Sequence, residues 1–138
     1  MTTLQEIMTE NVAEVKPSDG MFSLAREMKA NDVGFLPIID DKFLGVVTDR
    51  DLVCKGLAKG PDITNIEAQQ IMTEKVITGL PDMEVEEASR LMQDHQISRL
   101  LVVENDQLKG VVSLGDIAVT NNEQAAESAL SEIKKSGH

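Results

Sequence analysis

The chain of 138 residues is poor in cysteine and in aromatic side chains. Cys54 is its only cysteine, and it contains no tryptophan or tyrosine. A single cysteine excludes an intramolecular disulfide and is typical of a reducing compartment, so we predict a cytoplasmic protein. Aromatic residues make up 2% of the chain and hydrophobic residues 41%, so the core must be built from aliphatic side chains.

Long apolar runs and positive charge are also scarce. No run approaches the ~18 residues of a membrane helix, and the first six residues, Met1–Glu6, carry no basic segment of a secretory signal. The 13 basic residues are outnumbered by 24 acidic residues, giving a formal net charge of −11. This charge disfavours nucleic acid and anionic membranes as partners, and an anionic ligand would need local cations and backbone N–H donors.

No catalytic or metal-binding constellation is recognisable. His95 and His138 have no metal-ligand spacing with Cys54, and no glycine-rich phosphate loop of the Walker type occurs. Cys54 follows an Asp-containing motif on a predicted helix, where we expect a buried small hydrophobic residue. We therefore predict no enzyme, no catalytic residue, no metal and no required cofactor.

An internal repeat is the main feature of the chain. Ile7-Met8-Thr9-Glu10 returns 64 positions later as Ile71–Glu74, and Gly45–Thr48 returns 65 positions later as Gly110–Ser113. The extra residue falls in a polar stretch that is typical of a hairpin turn, Asp41-Lys42 in one copy and Asn105-Asp106-Gln107 in the other. A repeat of this length indicates that the chain folds as two similar units.

Each copy is predicted to form a β-α-β-β-α unit preceded by a short lead-in helix. A lone unit of about 60 residues buries too little surface, so the pair is the expected folding unit. The predicted fold is α+β, with two repeats related by pseudo-two-fold symmetry, small sheets packed against each other and helices outside. The predicted boundaries are 1–63, 64–120 and a C-terminal amphipathic helix at 121–138, which packs on the domain or on a second subunit.

Each repeat closes on a Ser/Thr-x-x-Asp motif, Thr48-x-x-Asp51 and Ser113-x-x-Asp116. In one interpretation both are capping boxes that only stabilise the start of a helix. In the other, the strand-to-helix turn presents free N–H groups to a phosphate or a sugar, while the carboxylate accepts hydrogen bonds from a ribose diol. The two roles are compatible.

The repeated Ile-Met-Thr, the proline after the first strand and the two Gly-Val-Val-Ser/Thr closing motifs resemble the CBS (cystathionine-β-synthase) domain family over roughly residues 7–57 and 71–120. The resemblance implies a regulatory module that binds AMP, ADP, ATP, S-adenosylmethionine or another adenosyl ligand between the repeats, and that commonly forms dimers. It also implies ribose binding by Asp51 and Asp116, with Thr48 and Ser113 near phosphate or ribose.

By the same analogy the first strand of one repeat faces the closing motif of the other. Ile77 and Thr78 would face Thr48–Asp51, and Val12 and Ala13 would face Ser113–Asp116. Each of these residues, taken singly, is more simply an ordinary core residue.

Two arginines are candidate phosphate ligands. Arg99 opens a core strand where an arginine fork would point into the cleft, and its alternative is a solvated strand end. Arg50 lies inside the first motif, and its alternative is a surface pair with an acid such as Asp49. The second copy has Leu114 and Gly115 in place of Asp49 and Arg50, so the sites are not equivalent and one good site is the expectation.

Two functions remain open on the sequence. The first is an adenine-nucleotide sensor, whose output passes through an unidentified protein partner or through homodimer formation. The second is a dimerisation scaffold whose motifs only cap helices.

Overall fold

The structure, a computed structural model, describes residues 1–120, and the predicted C-terminal helix lies outside them. The predicted α+β class is confirmed. The helices are α1 (Leu4–Ile7), α2 (Met21–Asn31), α3 (Asp49–Asp51), α4 (Ala68–Ile71), α5 (Val85–His95) and α6 (Leu114–Ala118). A π-helical turn (Leu52–Gly56) and a 3-10 turn (Leu57–Lys59) continue α3. The strands are β1 (Phe35–Asp40), β2 (Lys42–Thr48), β3 (Thr78–Gly79), β4 (Arg99–Glu104) and β5 (Gln107–Ser113). No helix within residues 1–120 is long and apolar enough to cross a membrane.

The chain divides into two compact units. The first unit is Ala13–Val76, and the second unit combines Met1–Val12 with residues 77–120. These units do not coincide with the sequence repeats 1–63 and 64–120, because each lead-in helix belongs to the unit formed by the other repeat.

In the first unit, α2 covers the antiparallel β1–β2 hairpin and α4 completes the core. Leu24, Leu36 and Ile38 are fully buried, and Ile71 of α4 is 1% exposed among them. The amide of Gln69 donates to the carbonyl of Pro17 at 3.0 Å, which attaches α4 to this unit. A helix of four residues is not stable alone, so this packing is what maintains it.

In the second unit, α5 covers a three-stranded sheet with the order β3-β4-β5, and α1 completes the core. Leu4 of α1, Met92 and Leu100 are fully buried together. The amide of Gln5 donates to the carbonyl of Pro81 at 2.9 Å, the same bond that Gln69 makes to Pro17. Each lead-in helix therefore packs in the unit formed by the other repeat, and both make the same backbone hydrogen bond to a proline carbonyl there.

The two hairpins have different turns. Asp41 alone has a positive φ of 63° in the first, whereas Asn105 and Asp106 have φ of 53° and 63° in the second, the signature of a type I′ turn. The one-residue insertion therefore lies in the turn, as the sequence alignment of the repeats predicted.

Gly45 and Gly110 place the end of each hairpin against a neighbouring backbone. A Cβ on Gly45 would lie 2.5 Å from the carbonyl oxygen of Thr73, and one on Gly110 would lie 2.8 Å from that of Thr9. Beside them, two-way backbone bonds join Val46 to Thr73 at 3.0 and 2.7 Å. These contacts hold β2 and β5 in place just before the Ser/Thr-x-x-Asp motifs.

Candidate ligand-binding site

Both closing motifs are complete capping boxes. The Asp51 amide donates to Thr48 Oγ1 at 3.1 Å and the Thr48 amide donates to Asp51 Oδ2 at 2.9 Å. The Ser113–Asp116 pair repeats this geometry at 3.1 and 2.8 Å. Each cap stabilises its helix start by about 1 kcal/mol, so the capping role is present in both motifs whatever else they do.

The first motif, Thr48–Asp51, has no backbone donor left over. Besides the two capping amides, the Asp49 amide donates to the carbonyl of Gly34 at 2.8 Å. The Arg50 amide donates to Asp49 Oδ1 at 2.8 Å. The prediction of free N–H groups at this turn is therefore wrong. The Asp49 side chain and the Gly34 carbonyl accept from the two amides that the capping bonds do not use.

The carboxylate of Asp51 is also fully engaged. It is 6% exposed, and its Oδ2 accepts from the hydroxyl of Thr73 at 3.4 Å in addition to the capping amide. Its Oδ1 lies 3.1 Å from the Nζ of Lys55, which also donates to Thr73 Oγ1 at 3.3 Å. A buried carboxylate needs such partners, because an unpaired buried charge is costly.

The second motif, Ser113–Asp116, has one backbone amide and one carboxylate oxygen without a partner within residues 1–120. The Leu114 amide donates to the carbonyl of Ser98 at 3.1 Å, as Asp49 does to Gly34. The Gly115 amide and the Oδ1 of Asp116 make no hydrogen bond or ion pair within residues 1–120. Since Asp116 is partly exposed, this turn offers one donor and one acceptor to a ligand.

The two candidate arginines occupy different places. Arg99 is exposed and lies directly opposite Ser113 in the β4–β5 register, and directly opposed residues project from the same face of a sheet. The same position in the first unit is Phe35 opposite Thr48. Arg50 is exposed, and its side chain makes no ion pair in the described part of the chain, so the alternative of a surface pair with an acid such as Asp49 is not seen.

Of the remaining predicted residues only Thr78 lies in a strand, whereas Val12, Ala13 and Ile77 lie in irregular segments, so their predicted strand positions are wrong. Ile77 is 36% exposed, and Thr78 pairs with Leu101 in the parallel β3–β4 ladder. Val12 is partly buried, and Ala13 packs against the core of the first unit. Ile77 and Thr78 lie in a different unit from Thr48–Asp51, so their predicted facing stays a prediction, as does that of Ala13 and Ser113–Asp116.

Sequence reasoning missed Lys55 and Thr73 as partners of Asp51. The spacing of Asp51 and Lys55 is i,i+4, at which an acid and a base meet on one helix face, so that signal was available. The expectation that Cys54 is buried is wrong, since it is exposed. Within its turn Leu52 and Gly56 face inward, whereas Cys54 and Lys55 face solvent. No group of three or more His, Cys, Asp or Glu within residues 1–120 could hold a metal.

The CBS domain family model matches residues 4–55 and 68–120. The chain is 37% identical over 139 residues to CBS domain-containing protein YhcV of Bacillus subtilis, covering 100% of this chain and 97% of YhcV. It resembles the crystal structure of Hypoxic Response Protein I, which has two coordinated zinc ions, with a TM-score of 0.75 and 34% identity over 86% of this chain and 98% of that one. It also resembles CBSX2 in complex with AMP, with a TM-score of 0.73 and 27% identity over 86% and 94% of the two chains.

Proposed function

Because this chain belongs to the CBS-domain family, we propose that it is a regulatory module that binds an adenosine-containing ligand, AMP, ADP, ATP or S-adenosylmethionine, through its Ser/Thr-x-x-Asp motifs. The observation that carries the proposal is the open acceptor on Asp116 next to the open amide of Gly115. A carboxylate of this kind accepts from the vicinal hydroxyls of a ribose. The AMP bound to CBSX2 supports the ligand class.

Arg99 supplies the positive charge that a phosphate would need in a chain of net charge −11. It lies opposite Ser113 in the sheet, and its planar fork can donate two hydrogen bonds to phosphate oxygens. The apolar slot for the adenine ring is proposed to use Val12, Ala13, Ile77 and Thr78. The full proposed set adds the closing motifs, namely Thr48, Asp49, Arg50, Asp51, Arg99, Ser113 and Asp116.

Signal output would pass through self-association or through another protein in the cytoplasm, and the module itself would catalyse nothing. The first unit exposes three large apolar side chains on α2 and the turns after α3, Phe22 at 54%, Val53 at 56% and Leu57 at 50%. Burial of such side chains favours association, so they support the proposed homodimer. Sedimentation at several protein concentrations would reveal it, and a constant monomer mass would contradict it.

A scaffold without ligand is the second candidate function. The observation that favours it is the first motif, where every turn amide and both carboxylate oxygens are already bonded within the protein. On this candidate both motifs would act only as helix caps.

Thermal melting distinguishes the two functions. A ligand that binds only the folded protein raises the melting temperature by mass action. We expect a shift of several degrees with at least one of AMP, ADP, ATP and S-adenosylmethionine at millimolar concentration, lost in Asp116→Ala. If no ligand shifts the transition while Asp51→Ala and Asp116→Ala simply lower it, the scaffold function is correct.

A further inference from the structure

We propose that a cleft in the second unit, between α1 and the turn end of the β4–β5 hairpin, binds a basic amino acid such as lysine or arginine. The cleft has a volume of about 210 Å³ and is lined by Gln5, Met8, Glu10, Pro81, Glu104 and Lys109. All six residues belong to the second unit, and none belongs to the set proposed for the adenosyl ligand. The cleft is therefore a separate site, and the charges that line it indicate its ligand.

Backbone hydrogen bonds fix the walls of the cleft. The amide of Gln5 donates to the carbonyl of Pro81 at 2.9 Å, which joins α1 to the segment before α5. On the other side the amide of Thr9 donates to the carbonyl of Val111 at 2.9 Å, and the amide of Val111 donates to the carbonyl of Thr9 at 3.0 Å. These bonds hold Glu10, the next residue, beside β5. A ligand would therefore meet a preformed cleft and would not have to order these segments on binding.

Lys109 is the extra residue of a β-bulge. Leu108 and Gly110 pair with successive residues of β4, so Lys109 between them has no partner on that strand. A bulge redirects the side chain of the extra residue, and bulges are frequent beside functional sites. The matching bulge residue of the first unit is Leu44, which packs against the hydrophobic core there. The second unit therefore has a cation at a position that the first unit uses for packing.

The charged and polar side chains of the cleft have no partners within the described part of the chain. The side chains of Glu10, Glu104 and Lys109 make no ion pair or hydrogen bond within residues 1–120, and neither does the carboxamide of Gln5. Glu104 is partly buried, and a carboxylate that loses water without gaining a partner is unfavourable. A cationic group of a ligand would supply that partner.

These charges suit a ligand with two cationic groups and one carboxylate. Glu10 and Glu104 can each accept from an ammonium or guanidinium group, and Lys109 can donate to a carboxylate. Two carboxylates and one ammonium give the lining a net charge of −1, opposite to the charge of lysine or arginine at neutral pH. Met8 and the buried Pro81 offer apolar contacts to the methylene groups of such a ligand. The volume is below the ~300–1,000 Å³ of most small-molecule sites, which limits the occupant to about the size of one amino acid.

Calorimetric titration of the full chain tests the proposal with ligands that each lack one charged group. Cadaverine is lysine without its carboxylate, and norleucine is lysine without its side-chain ammonium. We expect one lysine or arginine to bind per chain, and cadaverine and norleucine each to bind roughly tenfold or more weakly. Nonspecific attraction to a chain of net charge −11 would instead favour cadaverine, because it carries more positive charge.

Substitutions in the cleft have matched controls in the hairpin of the first unit. Lys109→Leu introduces the residue type found at the matching position, and Glu104→Gln removes one charge without changing the shape of the side chain. Each should weaken lysine binding roughly tenfold or more. The controls are Lys42→Leu and Asp40→Asn, which make the same changes of charge at exposed positions of the other hairpin. Both controls should leave lysine binding unchanged.

Three results would overturn the proposal. The first is that neither lysine nor arginine binds the folded wild type at millimolar concentration. The second is that cadaverine binds as tightly as lysine, since Lys109 would then contribute nothing to recognition. The third is that Lys42→Leu, shown to be folded by its melting curve, changes lysine binding as much as Lys109→Leu does, since the overall charge would then decide binding. None of these results bears on the adenosyl ligand, whose binding is measured separately.

Discussion

The two units carry the same backbone features at matching positions. α2 and α5 have 11 residues each, and both end at a residue in the left-handed region, Asp32 and Gln96. Each unit has a hairpin with a register shift and a glycine pressed against a neighbouring carbonyl. The backbones differ in the turns that continue α3 and in the added strand β3, and the motifs differ in side chains, chiefly Asp49 and Lys55 against Leu114 and Thr120. The units therefore share the helix–hairpin framework, while a few polar side chains decide which hydrogen-bonding groups of each motif are already bonded within residues 1–120.

The largest expected loss of stability follows from a substitution in a lead-in helix. Leu4→Ala removes a fully buried side chain from the second unit, and we expect a loss of about 2–5 kcal/mol in unfolding free energy. The matching position in the first unit is already alanine, Ala68, so the second unit depends more on this side chain. Hydrogen exchange should show β4 and β5 losing protection before β1 and β2, and earlier loss in β1 and β2 would contradict the division into units.

The paired glycines test the close backbone approach. Gly45→Ala and Gly110→Ala should each cost about 1–3 kcal/mol through overpacking. Gly45→Ala should cost more, because its Cβ would lie 2.5 Å from a carbonyl oxygen rather than 2.8 Å. Chemical denaturation measures the loss of unfolding free energy in both variants. Gly60→Ala is the comparison in which the added Cβ meets no atom within 4 Å, so that any loss comes from its φ of 131° alone. Equal stability of wild type and Gly45→Ala would show that the strand relaxes.

The two motif acids should differ in their contribution to stability. Asp116→Ala removes a helix cap and should cost about 1 kcal/mol. Asp51→Ala also strips Lys55 and Thr73 of their partner and empties a buried position, so we expect a larger loss of roughly 2–3 kcal/mol. If urea denaturation gives the two variants equal stability, the additional bonds of Asp51 contribute nothing measurable.

The smallest expected change in stability comes from substitutions at the C-terminal ends of α2 and α5. Gln96 has a φ of 55°, a conformation that costs a residue other than glycine roughly 1 kcal/mol. Gln96→Gly should therefore raise the melting temperature slightly, and Asp32→Gly should do the same in the first unit. Gln93→Gly, inside α5, is the control and should lower it. A decrease in Gln96→Gly would mean that the glutamine side chain contributes a contact of its own.

The repeat and its elements were predictable because they depend on local patterns. The offset at the hairpin turn and the helix starts after Thr48 and Ser113 follow from spacing alone. The exposure of Cys54 and the exchange of the lead-in helices were not predictable from those patterns. The segment after Asp51 is too short for its apolar spacing to identify its buried face, and a lead-in helix of four residues has no periodicity that identifies its packing partner.

By itself the sequence determined the duplicated architecture, the family and the two acidic motifs, because a repeat and a capping box are written in residue type and spacing. Only the tertiary structure decided which motif is open. Hydrogen-bond occupancy depends on the three-dimensional positions of groups far apart in the chain, such as Thr73 beside Asp51 and Gly34 beside Asp49. Two turns with the same Ser/Thr-x-x-Asp pattern therefore differ in hydrogen bonding: the donors and acceptors of the first are bonded within the protein, whereas the second has an amide and a carboxylate oxygen without a partner within residues 1–120.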